Sequence, residues 1–209
     1  MIRYALAVDI GASSGRHILG HYENGEIVME EIYRFPNQMI RKNGHLCWDI
    51  EPLTGHVIAG MKKCSEIGKI PATVGIDTWG VDYLLLDEAG NILGDSVAYR
   101  DERTDGIVEK LWQEMPFAEM FARTGIAHQP FNTVYQLLDD LKSGRMAKAK
   151  SLLMLPDYFH FRLTGVKKQE YCNATTTGMV NAVTHTWDEE IIETLGYKKE
   201  LFGELAQPG

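Results

Sequence analysis

The chain has 209 residues with a formal net charge of −8, 44% hydrophobic and 24% charged residues, the profile of a soluble globular protein long enough for a sizeable core in one domain or two small ones. The excess of acid argues against nucleic acid as the main partner, no apolar run is long enough to span a membrane, and the N-terminus runs directly into a strand with no signal-peptide pattern. Cys47, Cys64 and Cys172 form an odd set without C-x-x-C spacing, which fits reduced cytoplasmic thiols better than a disulfide framework or a zinc site.

The first predicted element is the apolar, β-capable run from Tyr4 to Ile10, which carries one carboxylate, Asp9. Gly11-Ala12-Ser13-Ser14-Gly15-Arg16 follows, small and hydroxyl-rich, flanked by glycine and ended by a cation. Glycines allow a tight turn and the close approach of a ligand, and successive backbone N–H groups in such a turn form a concave anion site. The stretch therefore reads as a phosphate-holding turn with Asp9 as a metal-side carboxylate; the competing reading is an ordinary Gly/Ser hairpin turn. It is neither the G-K-[ST] loop nor a full G-x-G-x-x-G. Both of those open a helix, whereas His17 to Tyr22 reads as a second strand. Asn24-Gly25 between two β-capable runs signals a hairpin into a third strand, Ile27 to Phe35. A phosphate turn inside a β-meander resembles the arrangement of the actin-like (ribonuclease-H-like) ATPases. His17 and His21 are four apart, but on a strand that spacing makes no metal pair.

Leu46 to Asp49 reads as a short extended piece ending at a helix cap, with Pro52 in the first helical turn. Leu53, Val57, Met61 and Cys64 share one helical stripe that covers a sheet face and stops at Gly68 and Pro71. Ala72 to Thr78 reads as a buried strand, and a buried strand after a crossover helix implies a parallel partner, the first strand. Trp79-Gly80-Val81-Asp82 then lies at the C-terminal end of that strand, where open α/β sheets place ligands. Tyr83 to Leu86 is another strand, and Tyr99 to Arg103 is a dense charge cluster in which Arg100 pairs by default with Asp101 or Glu102. The middle is helical. Helices are predicted around Ile107 to Met115 and Phe117 to Ala122, then from a capping box of Thr133 and Gln136 through Leu141. Leu152 to Leu155 is a short apolar strand or buried turn, Pro156 to Leu163 a short helix, Asn173 to Thr177 a β-prone run of structural hydroxyls, and Asp188 caps a last helix ending at Gly196. The final Gln207-Pro208-Gly209 has the composition of a loop.

Together these pieces resemble the FGGY carbohydrate kinases. The resemblance is carried by Asp9 to Arg16, Thr78-Trp79-Gly80-Val81-Asp82, Tyr99 to Thr104, Pro130-Phe131-Asn132-Thr133, Pro156-Asp157-Tyr158 with Arg162 to Gly165, and Asn173-Ala174-Thr175. It runs from residue 2 to the end of the chain. The fold it implies is an α/β, actin-like ATPase domain: a mixed central sheet with an N-terminal β-meander and helices on both faces. The activity it implies is ATP-dependent phosphorylation of L-rhamnulose or a related ketose, with ATP and Mg2+ as co-substrate and metal. Such kinases are far longer than this chain, and their aspartate general base and most of their adenine pocket lie in the second half. The resemblance therefore implies no catalytic base within the 209 residues and places it beyond Gly209. Residues 1–209 accordingly read as an N-terminal domain that lacks activity alone.

By the same resemblance Ala12, Ser13, Ser14, Gly15 and Arg16 cradle the ATP phosphates. Asp9 holds magnesium through water, or else caps a strand end. Gly80, Asp82, Arg100 and Asn132 contact the sugar, with Phe131 beside them. Trp79 packs on the sugar or on the core, and Asp77 is structural. The alternatives are another kinase of the family, of the xylulokinase or fuculokinase type, and a non-catalytic actin-like nucleotide-binding module.

Overall fold

A computed structural model describes residues 2–208. Gly209, the position beyond which the general base is expected, lies outside the described residues. In chain order the elements are β1 (Tyr4–Ile10), β2 (Ser14–Glu23), β3 (Glu26–Pro36), β4 (Met39–Lys42), β5 (His45–Trp48), α1 (Ile50–Glu66), β6 (Pro71–Thr78), β7 (Tyr83–Leu86), β8 (Ser96–Val97), α2 (Val108–Glu114), α3 (Phe117–Thr124), α4 (Thr133–Lys142), α5 (Arg145–Lys148), β9 (Ser151–Met154), α6 (Leu155–Thr164), β10 (Gln169–Glu170), α7 (Tyr171–Thr175), α8 (Glu189–Thr194) and β11 (Leu205–Ala206).

The main sheet has the order β3-β2-β1-β6. The meander pairs antiparallel, and β6 lies parallel to β1 with Ile10 opposite Thr78, as the buried run after a crossover helix predicts. Leu6, Val8, Ile10 and Leu19 alternate onto one face, where they meet Leu53, Val57 and Cys64 of α1 and Tyr158 and Phe159 of α6. Each large apolar side chain buried there contributes about 1.5–3 kcal/mol. Helices are expected on both faces, but among the described residues α1 and α6 share this one core. The opposite face carries Ala5, Ala7, Ile18, Gly20, Thr73 and Gly75 along an open groove. The strand period of two assigns these residues to the far side whatever covers it.

A second core joins Leu85 and Leu152 of the β7–β9 pair to Leu111, Leu137 and Ile191 of α2, α4 and α8. Two local readings change. The Asn173 to Thr177 run is helical as far as Thr175, within α7, and then turns, because the Glu170 carboxylate accepts from the Cys172 and Asn173 N–H groups and so caps a helix. The capping box on α4 does not form. Asn132 is the N-cap without a side-chain bond, and Thr133 and Gln136 turn instead toward the buried carbonyl of Val81. A carbonyl removed from water needs donors more than a helix end near solvent does. Asp188 caps α8 through the Ile191 N–H, as expected.

α1 is locked to the meander by rings. His17 is wholly buried, and its Nε2 donates to the Val57 carbonyl at 3.1 Å. Tyr33 lies edge-on to it, and Phe35 stacks on His56 at 4.4 Å. A Cβ on Gly60 would stand 2.2 Å from the His17 ring, so helix and strand approach this closely only through glycine. Burial lowers the His17 pKa from its ordinary 6.5. The unfolded chain then binds a proton near that pH while the folded chain does not, so this part of the stability is present above pH 6.5 and is lost as pH falls below it. Urea midpoints of wild type and His17→Gln, compared between neutral and mildly acidic pH, should show the wild type losing more stability on acidification.

Candidate active site

β1 and β6 are neighbours and run the same way, so the two segments that follow them emerge at one end of the sheet. The first is the Gly11 to Ser13 turn. Gly11 N–H donates to the Ser14 carbonyl at 2.9 Å. Asn37, buried at the exit of β3, braces the turn from behind: its Nδ2 donates to the Gly11 carbonyl at 2.9 Å and its N–H to the Ser13 carbonyl at 3.0 Å. With those carbonyls occupied, the turn has amides and hydroxyls left for a ligand. Gly15 is obligatory, since a Cβ there would stand 2.1 Å from the Phe35 ring. Asp9 and Arg16 face each other across the β1–β2 ladder, Arg16 Nε donating to Asp9 Oδ2 at 2.9 Å, with both side chains more than two-fifths exposed. Asp77 is the ladder partner of Asp9 on β6.

The second segment is Trp79 to Asp82. Val81 has a φ of 66°, a strained conformation for a β-branched residue. Its N–H donates to Thr176 Oγ1 at 3.1 Å, and its carbonyl accepts from Thr133 Oγ1 at 2.6 Å and Gln136 Nε2 at 3.3 Å. The strain turns the chain at Gly80, where a Cβ would sit 3.0 Å from the Thr176 side chain. A cavity of about 420 Å³ opens beside Gly80, lined by Asp77, Thr78, Asp157, His160, Asn173 and Thr176 among others. Burial pushes the Asp157 carboxyl up to about 7, against the stabilising hydrogen bond from the Glu170 N–H.

Asp82 lies beneath this corner with no exposed surface. Its Oδ2 accepts from Trp48 Nε1 at 2.6 Å, Trp79 Nε1 at 2.8 Å and the Tyr99 N–H at 3.2 Å, and its Oδ1 from Gln136 Nε2 at 3.3 Å. Desolvation raises its pKa in spite of these donors. The two indoles that it holds lie 4.0 Å apart. Asp82 is therefore not open to a sugar hydroxyl, which corrects its expected contact role; it positions the aromatic rings. Asn132 is likewise buried, its Nδ2 on the Thr176 carbonyl and its Oδ1 on the Gln129 N–H, so it closes the loop rather than facing a ligand. Both are drawn inward because a buried polar group needs partners. Arg100 is exposed and lies over the Tyr99 ring with Nε donating to its hydroxyl at 3.0 Å. It does not pair with its acidic neighbours, since Asp101 is taken by His45, the Leu46 N–H and the Arg103 N–H. Phe131 meets Tyr99 edge-on at 5.4 Å.

The sequence did not point to Asn37, Thr176 or Trp48 as parts of the site. For Asn37 the available signal is a Pro-Asn pair directly after a long strand; the other two act through contacts that no local pattern encodes.

The parallel pair β1 and β6 thus ends in a glycine-hydroxyl turn on one strand and a tryptophan-glycine corner on its neighbour. Residues 4–209 match the FGGY family of carbohydrate kinases, N-terminal domain, and the chain belongs to this family. Rhamnulokinase from Halalkalibacterium halodurans is 51% identical over 209 residues, covering 99% of this chain and 44% of the relative, and rhamnulokinase from Oceanobacillus iheyensis is 46% identical, covering 97% and 44%. The chain thus spans less than half the length of these relatives. Among solved structures, gluconate kinase from Lactobacillus acidophilus superposes with a TM-score of 0.87 at 24% identity, over all of this chain and 42% of that one. Xylulose kinase from the same organism gives 0.85 at 24% identity, over 99% and 42%. These two establish the actin-like fold. No helix among the described residues is long and apolar enough to cross a membrane.

Proposed function

We propose that residues 1–209 are the N-terminal domain of a longer, cytoplasmic sugar kinase of the rhamnulokinase type, which transfers the γ-phosphoryl group of ATP to the 1-hydroxyl of L-rhamnulose in L-rhamnose catabolism. The observation that carries this is the shared end of β1 and β6: it puts the Gly11–Arg16 turn and the Gly80 corner on adjacent strands. The identity to rhamnulokinases supports the choice of sugar.

Ala12, Ser13 and Ser14 offer backbone amides and hydroxyls to the phosphates, and Arg16 adds charge, while Gly15, buried in the ladder between Ile10 and Phe35, shapes the turn and does not meet a phosphate, which corrects its expected role. Magnesium keeps most of its water and takes one or two carboxylates along with phosphate oxygens. Asp9 fits, being exposed at the turn with a single side-chain partner. When bound, the ion neutralises charge developing on the transferred group. Arg16, released from Asp9, is then free for the phosphates. Gly80 lets the sugar approach the backbone, and Arg100, exposed at the rim, contacts its hydroxyls. Asp82 and Asn132 hold the corner in shape from below. We assign the general base to the remainder of the longer protein, beyond Gly209.

The test is ADP release by the full-length protein with L-rhamnulose, xylulose and fuculose. Turnover is expected with L-rhamnulose far above the others, and none with the 209-residue chain alone. Sugar-dependent turnover by the short chain, or none by the long one, overturns the assignment.

A further inference from the structure

We propose that Arg103 is a positioning residue of the sugar corner: it fixes the orientation of the Gln136 side-chain amide and, through that amide, the backbone of Val81 beside Gly80. This rests on the sugar-kinase reading above and deepens it to a residue that shapes the substrate site without touching the substrate.

Arg103 is a buried cation with few partners. Its side chain is 3% exposed, and its Nε and Nη1 find no hydrogen-bond acceptor among the described residues. A buried charge is ordinarily matched by a carboxylate in direct contact. Here Asp140 stands 3.7 Å and Asp139 4.0 Å from Nη1, and Asp140 is already engaged by Arg145 Nε at 2.6 Å and by the Tyr83 hydroxyl. Arg103 gives its side-chain hydrogen bond to a neutral amide instead, Nη2 donating to Gln136 Oε1 at 2.5 Å. The loop that delivers it is fixed. Asp101, held by His45 and the Leu46 N–H, accepts from the Arg103 N–H at 3.0 Å.

The Gln136 amide has two different ends, and one orientation suits its surroundings. Its Nε2 faces three acceptors: the Phe131 carbonyl at 2.8 Å, the Val81 carbonyl at 3.3 Å and Asp82 Oδ1 at 3.3 Å. Turned over, the amide oxygen would face those three acceptors, and the NH2 group would face a guanidinium, which has no acceptor to offer. The Arg103 donor therefore keeps the NH2 group on the corner. Strain such as that of Val81, with its φ of 66°, persists only where the surroundings hold it. Thr133 and Thr176 grip the same residue, but Gln136 also ties its carbonyl to Asp82 and to the Phe131 loop. Gly80 is the next residue along the chain, so its backbone follows.

The experiment measures kcat and the KM values for L-rhamnulose and ATP in the full-length protein, for wild type, Arg103→Lys, Gln136→Met and the two combined. Lysine keeps the buried charge but ends one bond short of Nη2 and has no fork, so it does not reproduce the Gln136 contact. A hydrogen bond to a charged group is worth about 10- to 100-fold, so Arg103→Lys is expected to raise the KM for L-rhamnulose by about 10-fold or more. The KM for ATP should stay within about twofold, because the Gly11–Arg16 turn is braced by Asn37 and not by Gln136. Gln136→Met should raise the sugar KM similarly, and adding Arg103→Lys to it should change that value by no more than about twofold, since the arginine acts through the amide. A sugar KM within about twofold of wild type in folded Arg103→Lys overturns the inference and reduces Arg103 to a buried counter-charge. Effects that multiply in the combined variant overturn it too, as does a parallel rise of both KM values, the mark of a general loss of structure. Each of these leaves the kinase assignment standing, whereas no turnover of L-rhamnulose by wild type overturns that assignment and the inference with it.

Discussion

Asp82→Ala is expected to destabilise the chain by about 3–5 kcal/mol, a large share of the roughly 5–15 kcal/mol that holds a domain folded. The buried carboxylate gathers four donors, from Trp48, Trp79, Tyr99 and Gln136. Alanine leaves two indole N–H groups and a backbone N–H without acceptors in a site that water does not reach. Each such group costs about 1–3 kcal/mol, and the sum is lowered by local collapse. Asp82→Asn should recover much of the loss, because its amide oxygen can still accept from both indoles. Urea unfolding of the 209-residue chain measures both variants directly, with tryptophan fluorescence as a probe that starts at the affected rings. A loss below about 1 kcal/mol for Asp82→Ala would show that the rings are held by packing and not by the carboxylate.

Asp9→Ala should behave in the opposite way. In the full-length protein its turnover is expected to fall by about 10²- to 10³-fold, the scale for removing one electrostatic contact to a developing charge. Its stability should change by no more than about 1 kcal/mol, since the pair with Arg16 is well exposed and screened. Asp9→Asn keeps a hydrogen-bond acceptor for Arg16 but gives up the charge. It should therefore match Asp9→Ala in turnover and raise the magnesium concentration needed for half-maximal rate. Steady-state rates over a magnesium series, paired with melting temperatures, separate the two effects. Unchanged turnover in a folded Asp9→Ala would remove Asp9 from the metal role and return it to an ordinary strand-end carboxylate.

The contrast between these two aspartates shows how far the residue string can be read. Both stand at the end of an apolar strand segment near a glycine, and both are candidates for ligand contact on that ground. Asp9 stays accessible because its ladder neighbour is an exposed arginine. Asp82 is sealed because indoles from positions 48 and 79 close over it. Asn132 follows Asp82: the Gln129 N–H and the Thr176 carbonyl claim its amide. Thr133 and Gln136 satisfy the spacing of a capping box, yet the desolvated Val81 carbonyl draws both away. In each case a long-range partner outcompetes a local rule.

The short-range part of this protein is legible in the residue string alone. The alternation in β1 and β2, the Asn24-Gly25 hairpin and the apolar stripe of α1 depend on residues a few positions apart, these periodicities select the strand, the turn and the helix, and the crossover helix so defined makes β6 parallel to β1. They are enough to place the turn and the corner at one end of the sheet, while the motifs from Asp9 to Arg16 and from Thr78 to Asp82 carry the family resemblance. Which polar side chains face the cleft and which lie under it emerges only once the chain is packed. The cost of burying a donor or acceptor depends on whether a partner arrives from elsewhere in the chain, and here Gln136 and Trp48 reach Asp82 across 54 and 34 positions. That closure is a property of the packed core, and no local spacing carries it.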